Sequence, residues 1–94
     1  NYVKQLLDAI DSYLSSESAF DDFQRTFSRI YLEELPPDLL SETETELFSE
    51  IHERSEWVSA SPTAEERSYG WRGPPEFSSW LSQQRARNRQ SSSD

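Results

Sequence analysis

ETETELFSEIHERSEWV, residues 42–58, is the stretch whose reading decides this chain. Glu42, Glu46, Glu50, Glu53 and Glu56 recur every three or four residues, and at about 100° per residue they share one helical face. Leu47, Phe48, Ile51 and Val58 fall on the opposite face. Ser41 and Glu44 stand three apart just before the apolar run, the spacing of a capping box. A helix is therefore expected from Ser41 to about Trp57 or Val58, with a core side and a strongly anionic outer side. Such an outer side is either ordinary solvated surface or an array of carboxylates that imitates nucleic acid.

Working towards the N-terminus, Val3, Leu6, Leu7, Ile10, Tyr13 and Leu14 make a stripe roughly 120° wide, as a core-facing helix requires. Asp8 and Asp11 lie outside it, and the helix is expected to stop in Ser15–Ser16. Ser18 and Asp21 are spaced like a second capping box, opening a helix whose apolar positions are Phe20, Phe23, Phe27, Ile30 and Tyr31. Asp21 and Asp22 suit the dipole of its first turn. Pro36-Pro37 ends it, since proline lacks a donor and clashes with the preceding turn.

Towards the C-terminus, residues 59–73 read mostly as loop, with Thr63 and Glu66 able to cap one short turn. Pro74-Pro75 suits the first turn of a last helix. Phe77, Trp80, Leu81 and Gln84 share one side of it, and Arg85, Arg87 and Arg89 cluster at its end, where cations favour the dipole. No internal repeat and no strand-like alternation compete. The expectation is an all-α fold, an antiparallel up-down four-helix bundle with a long loop before the last helix. One domain spans 1–89, and 90–94 form a disordered polar tail.

Composition narrows the function. The 94 residues are 33% hydrophobic but 13% aromatic, so the core must rest on Phe, Tyr and Trp. Without Cys, neither a disulfide nor a thiolate metal site is possible. No apolar run approaches the ~18 residues of a membrane span. No charged-then-apolar leader is present, and the Asn1 start fits a trimmed chain, so a removed leader stays open. A cytoplasmic location is expected. Residues 1–68 carry 16 acids and 5 bases, a balance of -11, whereas 69–94 carry 2 acids and 4 bases, a balance of +2. A body this acidic repels nucleic acid and anionic membranes and attracts a basic protein.

Catalytic constellations are nearly absent, so the expectation is a non-enzyme with no cofactor and no metal. His52, the single histidine, projects at the border of the acidic and apolar faces of its helix, the position of a boundary histidine. Di-iron bundles need inward glutamates with Glu-x-x-His; here the glutamates project outward and that motif is missing. Gly70 and Gly73 make no phosphate loop. Trp57 projects at about 60° on the wheel, among the acids. It either anchors an interface, as aromatic side chains often do, or the helix ends before it and it folds back over the core. Tyr69 and Trp71, in Ser68-Tyr69-Gly70-Trp71-Arg72, pose the same alternative as a lid or a contact surface.

Taken together these features resemble the colicin D-type immunity proteins, including those paired with contact-dependent inhibition toxins. The likeness is one of pattern and order over most of residues 5–85. It lies in an apolar first helix, the Phe-centred Ala19-Phe20-Asp21-Asp22-Phe23-Gln24-Arg25, the connection Leu39-Leu40-Ser41-Glu42, and Glu46-Leu47-Phe48 opening a helix that ends in acids. Where that family has a tyrosine and an Asp-Pro-Asp-like turn, Ser55-Glu56-Trp57-Val58 and Ser61-Pro62 stand here. The resemblance implies a four-helix bundle that neutralises a tRNA-cleaving toxin domain by covering its basic RNA-binding cleft. Glu50, Glu53 and Glu56 are the positions it carries over. The full expected contact set is Glu42, Glu46, Glu50, Glu53, Glu56, Trp57, Tyr69 and Trp71, on a monomer binding the basic nuclease 1:1. The rival readings are an acidic antitoxin or regulatory adaptor binding another basic protein without nuclease inhibition, a metal-binding or enzymatic bundle, and a structural domain cut from a larger protein.

Overall fold

The computed structural model describes residues 1–92, the last four by backbone alone. Among them every regular element is helical: α1 (Tyr2–Leu14), α2 (Phe20–Arg29) continued by a π turn (Ile30–Glu34), α3 (Glu42–Ser55), the short α4 (Ala64–Ser68) and α5 (Pro74–Ser92). The all-α expectation holds, with a five-residue helix added inside the stretch read mostly as loop. The chain forms two compact units, one from Asn1 to His52 and one from Glu53 onward.

In the first unit, Asn1 caps α1 by accepting from the Val3 and Lys4 N–H groups at 3.0 and 3.3 Å. At the other end of α1, the Ser16 N–H donates to the Tyr13 carbonyl and the Glu17 N–H to the Ser12 carbonyl. That is the Schellman pattern, which needs a left-handed residue after the cap. Ser16 occupies it at φ 66°, where most such positions hold glycine. The expected Ser18–Asp21 box does not form. Ala19 stands in extended backbone as the cap of α2 and offers no side-chain acceptor.

Leu6, Ile10, Phe23, Phe27, Ile30, Phe48 and Ile51 are buried. Their rings form a continuous series. Tyr13 stacks on Phe23 at 5.1 Å, Phe23 meets Phe27 at 5.5 Å, and Phe27 lies 6.1 Å from both Tyr31 and Phe48. Past Ile30 the helix widens, with the Leu35 N–H reaching back five residues to the Ile30 carbonyl at 2.9 Å. Arg29 spans the same turn to Glu34 at 2.9 Å. Leu35 then turns extended ahead of Pro36, as a residue before proline must.

The Ser41–Glu44 capping box forms as expected: the Glu44 N–H donates to Ser41 Oγ at 3.1 Å and the Ser41 N–H to Glu44 Oε1 at 2.9 Å. The C-terminus of α3 differs from the sequence reading. The helix stops at Ser55, and the Glu56 and Trp57 N–H groups close tighter turns onto Glu53 and Arg54. Val58 is drawn into a parallel bridge with Arg72 instead of extending the apolar face. Glu56 and Trp57 therefore leave the helical face on which their spacing had put them.

In the second unit the Thr63–Glu66 box caps α4 reciprocally. Its C-terminus repeats the Schellman pattern, here with glycine: Gly70 sits at φ 109° while the Trp71 N–H donates to the Glu66 carbonyl. Pro74 and Pro75 open α5 as expected, Phe77 and Leu81 are buried on it, and it runs on through 90–92 of the polar tail. Residues 93 and 94 of that tail lie outside the described residues.

Ser16 should be the cheapest position to improve. Ser16→Gly removes a left-handed penalty of about 1 kcal/mol, so Tm should rise by roughly 4–8 °C in a thermal melt. Phe27→Ala should act oppositely, lowering urea-unfolding stability by about 3–5 kcal/mol.

Candidate functional site

On the first-unit part of α3, Glu42, Glu46 and Glu50 are exposed at successive four-residue steps. Glu53, the next of the stripe, is exposed in the second unit. Ion pairs elsewhere engage Asp8 with Lys4, Asp22 with Arg25 and Glu34 with Arg29. The side-chain carboxylates of Glu42, Glu46 and Glu53 have no hydrogen-bond or ion-pair partner among the described residues. Glu50 and Glu56 do take part in intramolecular interactions. His52 is half-buried with its ring 5.5 Å from Tyr31, which gives it an aromatic neighbour at the helix boundary.

The three expected aromatic contacts lie in the second unit. Trp57 and Trp71 are paired with ring centroids 5.1 Å apart. The pair is closed by backbone, the Arg72 N–H donating to the Trp57 carbonyl at 3.0 Å and the Ser59 N–H to the Arg72 carbonyl at 2.9 Å. Trp57 still keeps 44% of its surface exposed, and Tyr69, the residue that caps the C-terminus of α4, keeps 69%. The helix thus ends before Trp57, which folds onto another tryptophan while leaving much of itself to solvent.

Glu76 organises this loop. Arg67 donates to its Oε1, the Arg72 guanidinium lies 3.7 Å from its Oε2, and Arg72 also donates to the Arg67 and Trp71 carbonyls at 3.0 and 2.8 Å. The Arg67 hydrogen bond first, then its charge, the Gly73 N–H and Arg72, hold the Glu76 carboxyl below the usual glutamate range against an opposing desolvation effect. Beside it a shallow groove of about 460 Å³ runs along α5 between Pro75, Glu76, Ser79, Trp80 and Gln83. The Arg54 guanidinium lies 4.5 Å from the Trp80 ring centre.

No His, Cys, Asp and Glu cluster able to hold a metal ion occurs among the described residues. Nor is any described helix long and apolar enough to cross a membrane. Comparisons with protein-family models, curated proteins and solved structures return no match.

Two features escape the sequence reading. One is the Arg67–Glu76–Arg72 hub, of which only the four-residue Arg72–Glu76 spacing was a visible signal. The other is the division of charge. Residues 1–52 hold 12 acids and 3 bases, while residues 53–94 hold 6 of each, so the entire formal charge of -9 belongs to the first unit.

Because the folded-state pKa of Glu76 is depressed, its stabilising effect is full above the ordinary glutamate range and is lost as pH falls through the lowered value. Glu76→Gln should therefore lower stability at neutral pH and flatten the acid limb of the stability–pH curve, read by urea melts from neutral to acidic pH. An unchanged acid limb would show that the hub adds nothing.

Proposed function

We propose that this chain is an immunity-type inhibitor that binds and neutralises a basic, tRNA-cleaving toxin domain, without catalytic activity of its own. The observation that carries the reading is the set of exposed α3 carboxylates, of which those of Glu42, Glu46 and Glu53 have no partner among the described residues. Carboxylates at four-residue steps along a helix offer anionic groups to the lysines and arginines that would otherwise hold phosphates. The charge steers encounter, and the bonds strengthen once water is excluded at contact. Trp57, Tyr69 and Trp71 supply aromatic contacts of the kind that dominate interface energies.

In this reading the long helices pack as the antiparallel up-down bundle expected from sequence, and the protein acts in the cytoplasm as a monomer bound 1:1. It contacts no nucleic acid itself and needs no cofactor. Its resemblance to colicin D-type immunity proteins, strongest around Glu46-Leu47-Phe48, supports the assignment.

Affinity capture at low salt from the lysate of the source cell, followed by an RNase assay, tests it. The expected result is a basic protein whose RNase activity is blocked by added chain. A captured basic protein with no RNase activity would instead favour a regulatory adaptor. Glu53→Lys combined with Glu56→Lys should weaken inhibition at least tenfold, a loss of about 1.4 kcal/mol, with the circular dichroism melt preserved. Inhibition by the wild type should also weaken as salt rises, since exposed charges are screened beyond roughly 8 Å at physiological ionic strength. Full inhibition by the charge-reversed pair would sink the acidic-face mechanism.

A further inference from the structure

We infer that the first unit carries its own docking surface, in which Leu39 is the apolar contact and Glu42, Glu46 and Glu50 are the charged ones, shaped for a basic amphipathic segment of a partner protein. The inference rests on the functional reading above but moves the apolar contact away from the tryptophans.

Three observations lead to it. The first is that all the net charge lies in the first unit, whereas the unit bearing Trp57, Tyr69 and Trp71 is balanced. A basic partner is therefore drawn to residues 1–52. The second is that this unit exposes two large apolar side chains, Leu32 at 63% and Leu39 at 46%. Their charge settings differ. Leu39 lies between Asp38 and Glu42, while Leu32 lies between Arg29 and Glu33-Glu34, of which Glu34 is already paired with Arg29. The leucine with acidic neighbours on both sides is the one a cationic segment can cover.

The third observation is order. The Leu39 N–H donates to the Pro36 carbonyl at 3.3 Å, and two residues later the Ser41–Glu44 box fixes the start of α3. Leu39 is thus held in a turn immediately ahead of the carboxylate row, so little ordering cost falls on binding. Glu42 and Glu46 hold no ion pair among the described residues that engaging a partner would break. An acidic row selects cations of any shape; adding an apolar contact at its head selects a segment with lysines or arginines along one side and an apolar residue beside the first of them.

The test uses the full chain and two synthetic helical peptides. One carries lysines at successive four-residue steps with a leucine one turn ahead of them, and the other replaces that leucine with serine. Amide chemical shifts on titration should move at Leu39, Glu42, Glu46 and Glu50. The leucine peptide should bind about tenfold tighter than the serine peptide, and Leu39→Ser should abolish that difference. Leu32→Ser should preserve it, which also separates the effect from general loss of surface leucine. Shifts centred on residues 57–71, equal affinity for the two peptides, an unaffected Leu39→Ser variant or no binding would each overturn the inference. Peptide binding without RNase inhibition would leave this surface standing and remove the immunity reading, and the reverse result would do the opposite.

Discussion

The packing of Phe27 against three other rings is the contact on which the first unit depends. With 33% hydrophobic residues and no methionine, the chain has few aliphatic side chains to spare. A fully buried phenylalanine contributes about 2–3 kcal/mol by area alone, and well-placed ring pairs add about 0.5–1.5 kcal/mol each. Phe27 is wholly buried and meets Phe23 on its own helix, Tyr31 in the π turn and Phe48 on α3. The π turn fits the same constraint, for it lets the helix continue through Ile30 and Tyr31 while Arg29 and Glu34 tie the wider turn together. A narrow aromatic core of this kind leaves the remaining positions free to be charged.

The second unit relies more on polar closure. A reciprocal capping box starts α4, a glycine-based Schellman turn ends it, and Glu76 gathers Arg67 and Arg72 across the connection to α5. Each of these is exposed and individually modest. Their effect is cumulative, because they act on one short loop whose ends are already joined by the Val58–Arg72 bridge. That closure explains how Trp57 and Trp71 stay paired while Trp57 remains 44% exposed.

The helices were legible wherever the signal was local and periodic. The stripe from Val3 to Leu14, the Phe20–Tyr31 series, the Ser41–Glu44 box and Pro74-Pro75 each specify their element through nearest turns alone. The end of α3 was not legible, because Val58 continues the apolar period and only a bridge to Arg72, fourteen residues away, takes it out of the helix. Ser18–Asp21 failed for a related reason. The Schellman turn through Ser16 and Glu17 delivers the chain to Ala19 already extended, and the cap falls one residue later than the spacing suggested. Of the expected contact residues, Glu42, Glu46, Glu50 and Glu53 stand on α3 as read, while Glu56 and Trp57 belong to the turn beyond it. The charge division could not be seen before the boundary at His52 was known, since sequence halves chosen by composition placed the break elsewhere.

The division of charge bears directly on why the acidic row is there. Like charges four residues apart on a helix destabilise it by about 0.2–0.5 kcal/mol per pair, and twelve acids against three bases add long-range repulsion to the compact first unit. Where the fold benefits from a carboxylate it shows how: Glu44 closes a capping box, Glu66 another, and Glu34 and Glu76 each hold an arginine. Glu42 lies in the first turn of α3, where the dipole offsets part of its cost, but Glu46 lies past that turn and has no partner among the described residues. An unpaired acid past the first turn adds a repulsion to its helix that no cation among the described residues offsets. The second unit is balanced overall, so most of the long-range field arises from residues 1–52, and Glu53 is the carboxylate of the α3 row that lies outside them.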